Sequence, residues 1–421
     1  MNDLKTRLTK ALFSYTSLLA DIQASGGKPV VVGGAVRDCL LGLTPSDIDL
    51  EISHMPAAQL EAILKKHAPV KFVGKHFGVY ALPGLEIALP RQDQKISKGH
   101  QGFSITTNPF LAFEKSAERR DFTINSMGYD LTTHTLIDPF DGQKDLRHKI
   151  LRATSQHTFA EDPLRGLRAA EMAGRFGFTI HPTLLALMAQ LDLSELPSER
   201  ITREFLKIFL GSHQPSIAFK ALAQTKLLGT FPFPLPWQDP LLWPVFLEAL
   251  DQCAQGVEAK RFDAPLIYFL AVMLYFQAKG QGVPQAPLTY FTFPKKLVQK
   301  AQGLLEQAVG LARDNLTRYD YFMAAYTLSH DHLDMAALAF FLSLIPSFKN
   351  AHEALEEKLR IWPLMSPDHI TPLITGNDLL KKGIPPGPAM GQKLKEAQKL
   401  QYETGCQDKE SLLNILFIKG S

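Results

Sequence analysis

Cysteine is scarce: Cys39, Cys253 and Cys406 stand far apart in 421 residues with no CxxC spacing. That leaves no basis for a disulfide framework and fits a reducing, cytoplasmic compartment. Charge of one sign is also lacking, for 45 Lys and Arg face 42 Asp and Glu, a formal excess of +3. So small an excess does not by itself argue for nucleic acid, and any such contact must rest on local clusters. Long apolar runs are missing too: Ala264 to Phe276 and Met335 to Pro346 are too short to span a bilayer comfortably and read as core helices, with no membrane partner expected. The opening MNDLKTRLTKALFSY has neither a long apolar core nor a small-residue cleavage site, so it reads as a short amphipathic helix and not as a signal peptide. No internal repeat and no low-complexity tract stands out.

The composition that remains, 45% hydrophobic and 21% charged, is that of a globular protein. Its length favours about two to four domains. Strand patterns concentrate between residues 28 and 90: Pro29 to Val32, Asp47 to Ile52, Val70 to Gly74, Val79 to Leu82 and Leu85 to Leu89, with a helix from about Pro56 to His67. The polar stretch Gln92 to Asn108 shows neither period and reads as a mobile loop. From Asp162 onward apolar residues recur every three or four positions, as in Leu164 to Phe176, Pro182 to Leu191 and Ser198 to Leu210. An α+β fold follows, a small head with a sheet and then a long helical part. Gly229 to Pro244 holds five prolines and reads as an inter-domain joint, with a second near Trp362 to Pro372.

The segment VVVGGAVRDCLLGLTPSDIDLE, Val30 to Glu51, carries the most chemistry. A β-branched strand stops at Gly33 and Gly34, where backbone without Cβ atoms can bring amide groups close to an anion, and Arg37 follows within one helical turn. In the next strand the two-residue period puts Asp47 and Asp49 on one face and Ile48 and Leu50 on the other. Two adjacent carboxylates repel, and a divalent cation is the usual remedy; turn or cap aspartates are the alternative. Glu86 in LEIALPR is a candidate third carboxylate, or else a solvated strand residue. In RRDFTIN, Arg119 and Arg120 suit a triphosphate and Asp121 suits ribose hydroxyls, although an isolated RRD also fits a solvated helix start.

EDPLRGLR, Glu161 to Arg168, places Asp162 just ahead of a helix whose first turns carry Arg165 and Arg168 on one face. Cytosine and adenine each present an amino donor beside a ring-nitrogen acceptor, whereas uracil and guanine present a carbonyl beside a ring N–H. A carboxylate that only accepts and a guanidinium that only donates therefore fit C and A and oppose U and G, with no nucleic-acid template. A helix cap with a surface ion pair is the plainer alternative.

Taken in order, these motifs resemble the class II tRNA nucleotidyltransferase and bacterial poly(A) polymerase family, within the polymerase-β-like nucleotidyltransferases. GGAVRDCLLG with DID resembles its catalytic motif, RRDFTIN its ribose and triphosphate motif, and DPFDGQKDLRHKILRA its head-to-neck connector. EDPLRGLRAA resembles its base-template motif, and Ser198-Glu199-Arg200 with Glu204 the helix that braces the neck. Near the C-terminus, Ile374 to Gln398 is similar to the tail of bacterial members. The resemblance implies a head over residues 1–152, a neck over 153–228, a helical body over 229–362 and a tail over 363–421. It implies two Mg²⁺ ions on Asp47 and Asp49, with Glu86 a further catalytic carboxylate. Triphosphate contacts fall to Gly33, Gly34, Arg37 and Arg168, support to Arg119 and Arg120, ribose contact to Asp121 within the motif that includes Asn125, and base pairing to Asp162 and Arg165. Family members use CTP and ATP, attack the α-phosphate in line with the 3′-OH of tRNA, and release pyrophosphate. Tail lysines Lys381, Lys382, Lys393, Lys395 and Lys399 outnumber nearby acids and could hold RNA phosphates, or form a solvated face.

Within the family, CCA addition is the first expectation. Gly74-Lys75-His76-Phe77 stands where poly(A) polymerases carry a GRRF-like signature, and the full-length loop from Arg91 to Glu118 is compatible with adding the final A. An enzyme adding only A stays open. Ser329-His330-Asp331-His332 suggests a phosphohydrolase site, but the preceding helices supply no further ligands, so a capping turn is expected. A non-catalytic RNA-binding relic would have no reason to keep both Asp47 and Asp49 crowded together.

Overall fold

A computed structural model describes residues 2–67, 71–73, 79–95, 103–194, 196–230, 238–258, 265–277, 291–330, 333, 335–361 and 371–418. The chain forms two compact units, Met1–Pro232 and Phe233–Ser421, which meet in sequence inside the expected proline-rich joint. The second expected joint, and Gly74-Lys75-His76-Phe77, lie outside the described residues wholly or in large part.

The first unit opens with α1 (Asn2–Ala11) and α2 (Thr16–Ala24), followed by β1 (Lys28–Val32), α3 (Gly34–Leu40), β2 (Ile48–Ser53) and α4 (Ala57–His67). Next come β3 (Lys71–Val73), β4 (Val79–Leu82), β5 (Leu85–Ala88), β6 (Arg91–Lys95) and β7 (Phe103–Thr107). After α5 (Phe113–Ala117) lie β8 (Gly128–Asp130), β9 (Thr135–Ile137), α6 (Gly142–Arg147) and β10 (Ile150–Leu151). The strand order is β3-β4-β5-β2-β1-β8-β9, with β2 and β5 parallel and the other neighbours antiparallel. Val31, Leu50, Ile52 and Ile87 fill the sheet's core, against which Leu18 and Ile22 of α2 and Leu60 and Leu64 of α4 are buried. This is the expected mixed sheet with helices. One expectation fails: the polar stretch from Gln92 to Asn108 is not a loop throughout, because β6 and β7 pair as a ribbon from Arg91 opposite Thr107 to Lys95 opposite Phe103. The period that reveals a strand depends on an apolar face, and Gln92 to Lys95 offers none.

The rest of the first unit, the segment expected as a neck, consists of α7 (Gln156–Glu161), α8 (Leu164–Phe176), the short β11 (Thr179–Ile180), α9 (Pro182–Met188), α10 (Ser198–Gly211) and α11 (Pro215–Gln224). Asp162 ends α7 and its Oδ1 accepts the Leu164 N–H (3.2 Å), so one short residue closes one helix and opens the next. Helix α8 stops at Gly177, in the left-handed region at φ +65°. It packs on α10 and α11 through Leu167, Ala170 and Ala173, beside a cluster of Phe205, Phe209 and Phe219 with centroids about 6 Å apart.

The second unit is helical among its described residues: α12 (Leu242–Glu258), α13 (Pro265–Gln277), α14 (Lys295–Leu311), α15 (Arg318–His330), α16 (Met335–Ser343), α17 (Lys349–Ile361), α18 (Gly376–Lys381), α19 (Pro388–Thr404) and α20 (Lys409–Ile418). Body and tail thus cluster as one unit. Tyr402 of α19 stacks on Phe322 of α15 at 4.7 Å, and Leu379, Leu400, Leu412 and Leu416 form an apolar core in the tail. No helix among the described residues is long and apolar enough to cross a membrane.

Candidate nucleotide-binding site

Strand β2 begins one residue after Asp47, and its alternation is as expected: Ile48 and Leu50 are buried while Asp47 and Asp49 face outward. Asp49 sits between Val32 of β1 and Glu86 of β5 in the sheet register. Register neighbours share a face, so Glu86 stands beside Asp49. Asp49, Glu51, Glu86, Arg91, Arg119 and Arg120 line a pocket of about 200 Å³. The pocket walls desolvate the Asp49 carboxyl and raise it above its usual range; Asp47 raises it further, against the opposing pull of Arg120 and Arg119. A crowded, desolvated carboxylate beside another is a donor set that a hard cation satisfies. Among the described residues, no three His, Cys, Asp or Glu groups converge into a complete metal cage, so Asp47, Asp49 and Glu86 are not gathered as a ready triad. Mg²⁺ commonly takes only one or two carboxylates and completes its shell with water and substrate phosphate.

Gly33 adopts φ +76° at the turn into α3. A Cβ there would lie 2.8 Å from Arg120 Nη1 and 3.5 Å from Asp49 Oδ2, so the bare backbone is what admits the guanidinium. The Gly33 N–H donates to Met127 O (3.2 Å), which takes that amide out of reach of a ligand and leaves Gly34 as the first amide of α3. Arg120 is enclosed in a field set by Arg119, Glu51, Asp49 and Asp121, burial and Arg119 lowering its pKa against the three carboxylates; its Nε has no hydrogen-bond partner.

Arg37 departs from the sequence-based expectation of a triphosphate contact. It is 4% exposed, donates to Asp38 (2.8 Å) and to Asn125 Oδ1 (2.7 Å), and lies over the Phe176 ring at 4.9 Å. Its guanidinium joins the start of the head to the end of α8. The one-turn spacing from the glycines suggested reach, but nothing in that spacing reveals that Phe176 and Asn125 occupy the fork.

Asn125 continues the chain of contacts by donating to Asp121 Oδ1 (3.0 Å), which also accepts the Phe122 N–H (2.9 Å). Asp121 Oδ2 takes two guanidinium donors from Arg168, at 2.8 and 2.6 Å. Burial alone would raise the Asp121 carboxyl, but Arg168 and the Asn125 amide hold it below the usual carboxylate range, and Asp121 in turn holds Arg168 strongly protonated. The expected ribose acceptor is therefore an already saturated anchor between head and neck.

Asp162 and Arg165 do not pair with each other. Asp162 Oδ2 accepts from Arg200 (3.0 Å) of α10, while Arg165 donates to the carbonyls of Thr158 and Arg119, the latter at 2.6 Å. The capping and ion-pair alternative for Asp162 is thus present. The same bonds fix the start of α8 against the arginine segment that lines the pocket. On α8 and α10, Glu171 and Glu204 are both buried; desolvation raises Glu171, Glu204 adds to the rise, and Arg175 at 3.9 Å opposes it.

Two residues escaped the sequence reading. Glu51 continues the two-residue period of Asp47 and Asp49, which was the available signal, and Ser116 donates to it at 2.7 Å. Of the tail lysines, Lys381, Lys382 and Lys395 are exposed, whereas Lys393 pairs with Glu396 (2.9 Å) and Lys399 with Glu403 (3.8 Å). These belong to the second unit.

Residues 30–152 match the Poly A polymerase head domain, and residues 177–235 match the probable RNA and SrmB-binding site of polymerase A. Head and neck are thus similar to those of the class II tRNA nucleotidyltransferase and poly(A) polymerase family over somewhat less than half of the chain. Similar proteins include a Multifunctional CCA protein of Xylella fastidiosa, 40% identical over 210 residues, which are 48% of this chain and 49% of the relative. A second Multifunctional CCA protein, from Shewanella denitrificans, is 42% identical over 207 residues, 47% of this chain and 48% of its own. The chain spans about half the length of the curated relatives it matches. The likeness of fold extends further: a Thermotoga maritima CCA-adding enzyme complexed with tRNA aligns with 100% of this chain and 99% of its own at TM-score 0.69 and 21% identity. A Bacillus stearothermophilus CCA-adding enzyme in complex with CTP aligns with 97% of this chain and 98% of its own, at TM-score 0.68 and 21% identity.

Proposed function

We propose that this protein is a tRNA nucleotidyltransferase that adds C and A residues from CTP and ATP to the tRNA 3′ end without a nucleic-acid template. The observation that carries the reading is the bond from Arg165 to the Arg119 carbonyl, because it ties a base-reading helix to the wall of a carboxylate-bearing pocket. Asp47 and Asp49 would hold Mg²⁺, two ions being the expectation for in-line transfer; bound there, the metal would activate the RNA 3′-OH and shield the leaving pyrophosphate.

The chain's own residues supply the rest. Arg119 and Arg120 offer guanidinium donors to the triphosphate, and Gly34 offers the first amide of α3. Arg168, kept charged and aimed by Asp121, faces the same negative charge, and Arg37 and Asn125 keep Asp121 in place. Asp162 retains acceptor capacity beyond its cap and ion pair, and Arg165 retains N–H donors beyond its two carbonyls, which is the polarity that C and A share. Exposed Lys381, Lys382 and Lys395 supply charge for RNA backbone phosphates. Relatives named for CCA addition support this reading over poly(A) synthesis.

Asp49→Ala should reduce nucleotide incorporation by roughly three orders of magnitude or more, since loss of the metal removes most of the charge stabilisation of the transition state. Thermal unfolding should stay cooperative. Incorporation near the unsubstituted level at saturating Mg²⁺ would defeat the assignment.

A further inference from the structure

Glu51 lies on the metal-ligand face of β2 yet is 5% exposed. Its neighbours in the sheet register are Val30 and Ala88, so no strand partner answers its charge. Ser116, itself fully buried on α5, donates to Glu51 Oε1 at 2.7 Å, with the Phe113 carbonyl as the alternative acceptor at 3.0 Å. A buried carboxylate with one hydroxyl partner is costly to keep, so a compensating charge is required nearby. Glu51 lines the same pocket as Asp49, Arg119 and Arg120. The enclosed Arg120 guanidinium forms no close ion pair among the described residues, although its Nη1 approaches the Gly33 turn that Asp49 Oδ2 also approaches.

A cation beside Asp49 competes with a metal ion for that carboxylate. Removing the negative charge opposite it would let the guanidinium settle onto Asp49, by ordinary Coulomb attraction in a partly desolvated pocket. We infer that Glu51 is a positioning residue: fixed by Ser116, it balances Arg120, so that Arg120 stays free for the triphosphate and Asp49 stays free for the metal. The inference rests on the nucleotidyltransferase reading above. It adds to that reading a carboxylate besides Asp47, Asp49 and Glu86, one that touches neither metal nor nucleotide.

Glu51→Gln separates this role from a merely structural one, because the amide oxygen can still accept from Ser116 while the charge is gone. Three quantities are measured on the full chain: melting temperature, Mn²⁺ affinity by electron paramagnetic resonance, and CTP affinity without divalent metal. The substituted protein should melt within a few degrees of the parent, and should bind both Mn²⁺ and metal-free CTP roughly three- to tenfold more weakly. Ser116→Ala should move both affinities the same way but less. Unchanged affinities in Glu51→Gln, with parental binding of Mn²⁺ and CTP intact, would overturn the inference and leave the proposed function standing. A parent that binds neither ligand would overturn both. If Glu51→Gln fails to fold, Ser116→Ala decides: unchanged affinities there count against the positioning role.

Discussion

At the residue scale, the site is governed by which charges are already spent. Asp121 and Arg168 form the tightest pair, with Arg168 donating twice to one carboxylate oxygen. Arg168→Ala would leave Asp121 enclosed with only neutral donors, so stability should fall by about 2–3 kcal/mol, read from denaturant unfolding. Because the Asp121 pKa is depressed in the folded protein, its contribution is complete above the unfolded value of 3.8 and is lost as pH falls through the lower folded value. Asp121→Asn should therefore abolish that part of the acid sensitivity; an unchanged acid limb would refute the pairing. Gly33 makes a second point, since its φ of +76° and the nearby Arg120 Nη1 both exclude a side chain. Gly33→Ala should cost about 1–3 kcal/mol and weaken CTP binding, measured by thermal melting and titration calorimetry. An alanine variant with parental stability and affinity would mean that the turn tolerates a Cβ.

At the element scale, legibility followed burial. The apolar strand β1 and the alternating strand β2 declare themselves because one face must be hidden, and helices α8 and α10 because their apolar stripe must meet a neighbour. Gly33 and Gly34 stand out because they end the apolar run of β1, and the Asp47 and Asp49 pair because it alternates with the buried Ile48 and Leu50. What stayed hidden depended on tertiary partners: the placement of Arg37 on Phe176, the saturation of Asp121 by Arg168, the tie of Asp162 to Arg200 and the pairing of β6 with β7. That ribbon is also an element with a testable role, because Arg91 at its base lines the pocket. A polar, glycine-punctuated segment of this length suits a lever that reshapes a pocket between successive substrates. Deleting about six residues from its tip should impair A addition more than C addition in single-nucleotide assays. Equal losses for both nucleotides would show that the ribbon supports the site without switching it.

At the scale of the whole molecule, the chemistry is concentrated in the first unit and exposed tail lysines in the second. The sequence likeness to named relatives covers about half of the chain, while the likeness of fold to the CCA-adding enzymes runs its full length. The central claim is therefore a claim about product: a protein-built pocket specifies C and A in order. The most direct measurement offers purified protein tRNA transcripts ending before C74, after C74 and after C75, each with one labelled nucleoside triphosphate at a time. Incorporation of C, then C, then a single A, with U and G refused at each step, is the predicted result. Absence of incorporation, or an A tail that lengthens without limit, would contradict the account.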